Sequence, residues 1–135
     1  QHKLYYAYQN NGAYLDYLGQ SQQLKANSQS LKAKGLRVVA SRSHLNDETQ
    51  AYLDQLNQPE IVSMGSSLKL VAIAEGKADL YPRFAPTMEW DTAAADAVVR
   101  EAGGQVLIRN LKTPVQYNKV DLLNPHFLVT CNLED

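Results

Sequence analysis

Between Gly65 and Gly104 the chain reads GSSLKLVAIAEGKADLYPRFAPTMEWDTAAADAVVREAGG, and this stretch limits the available folds more than any other. Leu68, Val71 and Ala72 recur at helical spacing before a stop at Gly76. Ala78 and Leu80 then alternate with polar neighbours as in a strand, and a loop bracketed by Pro82 and Pro86 leads to a second helical run ending at Gly103-Gly104. In that run Ala94, Ala95, Val98, Val99 and Ala102 form one inward stripe. Helix starts leave backbone N–H groups unpaired at the positive end of the helix dipole, so both starts are natural anion sites. The first, Gly65-Ser66-Ser67, offers only glycine and hydroxyl groups, which suits a phosphate; the second, Trp90-Asp91-Thr92, carries a carboxylate, which suits a divalent metal ion. Together they point to phosphoryl chemistry.

The rest of the chain extends the same alternation. Residues 4–8 and 13–18 flank Asn10-Asn11-Gly12, a turn sequence tolerant of positive φ, and predict a β-hairpin. Residues 21–35 are polar without a period of two or 3.6 and read as a linker. Leu36 to Ala40 reads as a strand, a helix follows over about 47–57 before Pro59, and 60–63 is a second strand. Further strands are expected at 105–108 and within 124–131. The expected organisation is therefore a hairpin over 1–20, a linker over 21–35, and an α/β domain over 36–135. That domain is a layered, mostly parallel sheet flanked by helices.

A chain of 135 residues with net charge −1 and no Lys/Arg run is one domain's worth, does not suit a nucleic-acid backbone, and suggests a small-molecule partner. The single Cys131 lies in an apolar run and reads as a buried strand residue in a reducing compartment, so the expected location is the cytoplasm, with peripheral attachment at the inner membrane as the variant. There is no apolar run of about 18 residues and no charged-then-apolar leader, so neither a membrane span nor a signal peptide is expected. Gln1 is expected to be a cut edge.

Each candidate site residue has a plain structural alternative. Ser41 and His44 follow a strand, where ligands gather in open α/β sheets, yet can equally cap the helix that begins near Asn46. Lys69 sits in a first turn, where a cation opposes the dipole; either an anion at Gly65 and Ser66 explains it, or it is simply solvated. Arg83 is a phosphate clamp or a surface residue beside a proline turn. Asp91 caps its helix, and spacing alone cannot make it a metal ligand. Trp90 reads as core or wall packing, Glu89 and Asp96 as solvated charges, and His126 as a loop residue.

Trp90-Asp91-Thr92-Ala93-Ala94 followed by Glu101-Ala102-Gly103-Gly104 resembles the second signature of the inositol monophosphatase superfamily of magnesium-dependent phosphatases. The stretches Ser41-Arg42-Ser43-His44, Gly65 to Lys69 and Leu80 to Phe84 make it similar to the 3'(2'),5'-bisphosphate nucleotidases of the bacterial CysQ type, from about Leu4 to Asn132. Two departures stand out: Ala95 where the family usually has glycine, and the absence of the first signature, Asp-Pro-x-Asp-Gly-Thr. The resemblance implies Asp91 as a Mg2+ ligand that also approaches substrate, and Ser41, His44, Gly65, Ser66, Lys69 and Arg83 as contacts to 3'-phosphoadenosine 5'-phosphate, hydrolysed to AMP and phosphate. It also implies a missing amino-terminal half carrying the other carboxylates, so that the chain alone is inactive. An inositol- or sugar-phosphate phosphatase and a non-catalytic nucleotide-binding module are the alternatives.

Overall fold

A computed structural model describes residues 2–40, 45–65 and 68–133. The elements run β1 (Lys3–Tyr8), β2 (Gly12–Tyr17), β3 (Gln20–Leu24), β4 (Ser28–Gln29), β5 (Arg37–Ala40), α1 (Asp47–Leu53), β6 (Glu60–Ser63), α2 (Lys69–Ala74), β7 (Leu80–Arg83), α3 (Glu89–Glu101), β8 (Gln105–Ile108), β9 (Phe127–Thr130) and β10 (Asn132–Leu133).

The expected hairpin forms, with Lys3 opposite Tyr17 and Tyr8 opposite Gly12. Asn10 and Gly12 take positive φ in its turn, as the sequence suggested. The chain does not then become a linker: Leu18 and Gly19, both at positive φ, make a second tight turn, and β3 pairs antiparallel with β2. Only Leu24 of β3 is buried, so its outward polar residues carry no alternation that would have betrayed a strand. Residues 28–29 also pair, parallel to β10.

The second sheet has strand order β6-β5-β7-β9-β8. β5 pairs parallel with β6 and β7, whereas β9 pairs antiparallel with both β7 and β8. The layered α/β class holds, but the sheet is mixed rather than mostly parallel. The connection from β8 to β9 contains no helix and returns the last strand in the opposite sense.

Alternation along the strands assigns the two faces. Val38, Leu80 and Leu128 point one way and pack with Leu36, Leu53 and Phe84 beneath α1. Val39, Tyr81, Val106 and Val129 point the other way, against α2 and α3, whose far side is covered by Ala13, Leu15 and Leu24 of the first sheet. The layers are thus three-stranded sheet, two helices, mixed sheet and one helix. The Glu101 carboxylate at the end of α3 accepts the backbone N–H groups of Asn10 and Gly12, each at 3.1 Å, and pins the hairpin turn to the layer below. No helix among the described residues is long and apolar enough to cross a membrane.

Gly104, where α3 passes into β8, is required by close approach. A Cβ there would stand 2.7 Å from the Thr130 carbonyl oxygen and 2.9 Å from Val99 Cγ1. Gly104→Ala is therefore expected to destabilise the chain by about 1–3 kcal/mol, because backbone must shift to admit one methyl group. A denaturant midpoint equal to that of the parent protein would contradict this.

Candidate active site

Lys69 opens α2, directly after Leu68. Its side chain is 4% exposed, with Nζ lying 5.7 Å from the centre of the Tyr81 ring. Burial, and then the neighbouring Arg83 guanidinium, hold its pKa below the ordinary lysine value. Arg83 ends β7. Its Nε is buried without a hydrogen-bond partner among the described residues, and Nη2 makes only a long 3.5 Å contact to the Pro86 carbonyl oxygen. Neither cation forms an ion pair with a described carboxylate. Two neighbouring cations without a counter-ion among the described residues, one of them buried with a lowered pKa, suit a multiply charged anion. Tyr81 is the centre of the arrangement: it lies under Lys69 and meets Phe127 edge-on at 6.3 Å.

Arg83 and Asp91 line one cavity of about 320 Å³ with Tyr81, Thr87, Thr92 and Phe127. A small neighbouring hollow is lined by Lys69, Tyr81 and Arg83 together with Thr49 and Leu45. The structure therefore brings Lys69, Arg83 and Asp91 into one neighbourhood, through strand β7 and the turn after it.

Several expectations are corrected by the geometry. Asp91 is not the N-cap: Met88 is, and Asp91 occupies the third helical position, where its Oδ2 accepts the Met88 N–H at 2.9 Å. Tyr81, Pro82 and Arg83 lie within β7 rather than after it. Trp90 is 67% exposed rather than packed, and Ala94 is exposed as well. Glu89 and Asp96, read as solvated, are both buried. Glu89 pairs with Lys119 at 3.5 Å, and Asp96 accepts from Arg100 Nε and from the Tyr117 hydroxyl. Gly65 is exposed and lines a different hollow from Lys69, with Tyr5, Met64, Leu68 and Glu75. α2 itself spans only Lys69–Ala74. Ser41, His44 and Ser66 lie outside the described residues. His126 sits in a loop as expected, with Nδ1 3.3 Å from Glu48, and Cys131 is buried.

Thr87, Thr92, Tyr117 and Asn124 escaped the sequence reading, although they surround the turn that carries Asp91. The only available signal was Asp96 four residues before Arg100, a spacing that suits a helical ion pair.

As a metal ligand Asp91 is chemically apt: it is an exposed carboxylate with one oxygen taken by Met88 N–H and hard oxygen donors suited to a divalent cation. It is also insufficient alone, since no group of three or more His, Cys, Asp or Glu residues converges among the described residues.

Two cations without a carboxylate partner among the described residues stand near an exposed carboxylate, at the end of the central strand β7 of a layered α/β fold, an arrangement whose chemistry suits a phosphate group. The chain belongs to the inositol monophosphatase family, whose pattern matches residues 1–132. It is 50% identical over 93 residues to a protein of Salmonella typhimurium named 3'(2'),5'-bisphosphate nucleotidase CysQ, covering 69% of this chain and 38% of that one. The Haemophilus influenzae protein of the same name is 32% identical over 127 residues, or 93% of this chain and 46% of its own. Among solved structures, CysQ from Bacteroides thetaiotaomicron superposes with a TM-score of 0.82 at 40% identity, over 96% of this chain and 54% of that one. An inositol monophosphate-bound SaIMPase-II shares the fold with a TM-score of 0.76 at 23% identity, over 97% and 48%. The chain thus spans about half or less of the length of these relatives.

Proposed function

We propose that this chain supplies the nucleotide-binding half of the cleft of a 3'(2'),5'-bisphosphate nucleotidase, which hydrolyses 3'-phosphoadenosine 5'-phosphate to AMP and phosphate. The observation that carries this reading is the pair Lys69 and Arg83, two neighbouring cations without a counter-ion among the described residues, of which Arg83 lines the cavity with Asp91 and Lys69 the adjoining hollow. Relatives named as 3'(2'),5'-bisphosphate nucleotidases support the substrate class.

In this reading Lys69 and Arg83 hold phosphate oxygens, Arg83 through its planar fork and Lys69 as a point charge backed by Tyr81. Ser41, His44, Gly65 and Ser66 remain assigned to the nucleotide through the family resemblance alone. Asp91 holds one Mg2+, which when bound would activate water and stabilise charge on the phosphoryl oxygens. The remaining carboxylates come from an amino-terminal half of the same enzyme, and the enzyme works in the cytoplasm. A single carboxylate does not hold a metal pair, so this chain alone is expected to bind nucleotide without significant turnover.

The test is an NMR titration of the labelled chain with 3'-phosphoadenosine 5'-phosphate, with and without Mg2+, in competition with inositol monophosphate. Saturable shifts at Lys69, Arg83 and Asp91 that inositol monophosphate does not displace are expected. Preferential response to the inositol phosphate would reassign the substrate, and phosphate release at an intact enzyme's rate would overturn the inactivity of the isolated chain.

A further inference from the structure

The segment from Tyr117 to Asn124 is laced to the first turn of α3 on both sides of Asp91. Glu89 N–H donates to the Leu122 carbonyl at 2.9 Å, Lys119 N–H to Glu89 Oε1 at 3.2 Å, and Asn124 N–H to the Thr87 carbonyl at 2.9 Å. The Asn124 side chain is 4% exposed. Its Nδ2 lies 3.0 Å from the Met88 carbonyl oxygen and 3.1 Å from both Thr87 Oγ1 and Thr92 Oγ1.

The donor direction of this network follows from its two ends. The Met88 carbonyl can only accept, so the amide group of Asn124 must present its N–H2 to that side. At the far end, Asp96 is ionised against Arg100 and can also only accept, so the Tyr117 hydroxyl donates its one proton to Asp96 Oδ2, at 2.6 Å. Tyr117 then accepts from Thr92 Oγ1 at 3.1 Å, the shorter of the two contacts open to that one proton, the other being the Glu89 carbonyl at 3.4 Å, and Thr92 in turn accepts from Asn124. The result is a one-way relay, Asn124 to Thr92 to Tyr117 to Asp96. Burial and the Asp96 carboxylate raise the Tyr117 pKa, which keeps the donating proton in place.

Asp91 is not a member of this relay, but its neighbours are. Met88 supplies the N–H that fixes Asp91 Oδ2, and the same residue's carbonyl is held by Asn124. Thr92, next in the chain, is held by both Asn124 and Tyr117. We infer that Asn124 is a positioning residue for Asp91: it fixes Thr87, Met88 and Thr92, so that the second oxygen of the Asp91 carboxylate faces the cavity in one orientation. This rests on the reading of Asp91 as a metal ligand, with Tyr117 as the second anchor of the same turn.

The experiment compares the parent chain with Asn124→Ala, Tyr117→Phe and Leu53→Ala, the last a core truncation in the other hydrophobic cluster that controls for lost stability. Two readouts are taken: amide hydrogen exchange at Met88, and Mn2+-induced broadening of the Asp91 amide and of the indole of Trp90, the single tryptophan. After correction for global stability, Asn124→Ala is expected to raise Met88 exchange about tenfold or more, a local opening that a distant core truncation does not produce. Its Mn2+ affinity is expected to fall several-fold, Tyr117→Phe is expected to shift both readouts less in the same direction, and Leu53→Ala is expected to leave both unchanged. If Asn124→Ala matches Leu53→Ala at Met88, or loosens Met88 without weakening Mn2+, the positioning role is overturned. If Asn124→Ala fails to fold, Tyr117→Phe decides by the same two criteria. If the parent chain shows no Mn2+ response, the metal-ligand reading falls, while the Met88 comparison still decides whether Asn124 orders the turn.

Discussion

Lys69→Met is expected to abolish most nucleotide binding while raising the stability of the unliganded chain. The two effects have one cause. The Lys69 ammonium is buried, with the face of the Tyr81 ring as its recorded contact and no carboxylate partner among the described residues. An unpaired buried donor costs on the order of 1–3 kcal/mol, more when charged, and the cation–π contact returns about 0.5–2 kcal/mol of that. Methionine fills a similar volume without the charge. The free chain should therefore gain up to about 1 kcal/mol in a denaturant titration. A phosphate oxygen against the ammonium contributes about 2–3 kcal/mol, so its loss should weaken 3'-phosphoadenosine 5'-phosphate binding by roughly 30–150-fold.

The same residue sets a pH dependence. In the free chain Lys69 titrates below the ordinary 10.5 because burial and Arg83 disfavour its charged form, whereas a bound anion favours it. Affinity should fall as pH rises through the lowered value, before ordinary lysines deprotonate, and Lys69→Met should flatten that part of the profile. The sign for stability is opposite. The unfolded chain binds the proton more tightly, so the folded state gains from this group as pH rises. A Lys69→Met variant that binds nucleotide like the parent chain would remove Lys69 from the site.

Asp79→Ala is expected to be the most damaging single change to the fold. Asp79 is 2% exposed and accepts three bonds from Arg37: the backbone N–H at 2.8 Å, Nε at 3.2 Å and Nη2 at 3.1 Å. Arg37 also donates to the Gly76 carbonyl at 2.9 Å, which Asn27 holds at 3.0 Å. The cluster therefore ties β5 to the entry of β7 and to the segment before β4. Burial pushes the Asp79 carboxyl up, but the Arg37 hydrogen bonds and charge outweigh it and hold the group below its ordinary value. Removing one partner of such a pair costs about 3–5 kcal/mol. The lower end applies, because the Arg37 side chain is 35% exposed and its charge reaches water when left alone. Against a typical total of about 5–15 kcal/mol, that loss should appear as a large fall in denaturant midpoint. The Asp79 contribution is present above the unfolded-state value near 3.8 and is lost as pH falls through the lower folded value. Asp79→Ala should accordingly show a shallower loss of stability on acidification than the parent chain. An unchanged midpoint would mean that the strands are held without this cluster.

The amino-acid sequence determined the elements whose cause is local. Asn10-Asn11-Gly12 turns because asparagine and glycine accept positive φ, and Gly103-Gly104 ends α3 where a helix exit and a close approach coincide. The short β-branched runs at 37–40 and 105–108 became strands because their apolar centres are buried, whereas 60–63, largely exposed, is held as the outer strand by its ladder with β5. Site chemistry was legible as residue type: Lys69, Arg83 and Asp91 were named from helix starts and motif resemblance, and the fold brings them to adjoining hollows.

What only the tertiary structure decided is what each of these groups faces. β3 is a strand because β2 offers it a ladder, while its outward residues are polar and carry no signal. The reversed sense of β9 depends on a helix-free return from β8, which no local pattern encodes. Asp96 and Glu89 look like any surface carboxylates until Tyr117, Arg100 and Lys119 are brought to them, and burial then becomes affordable because every charge is paired. Trp90, by contrast, lies on the outward face of α3 despite its apolar surface. Lys69 reverses the same logic. Its place in a first turn was readable, but its burial without a carboxylate partner among the described residues, the property that points to an anion, arises only where α2, Tyr81 and Arg83 meet in space.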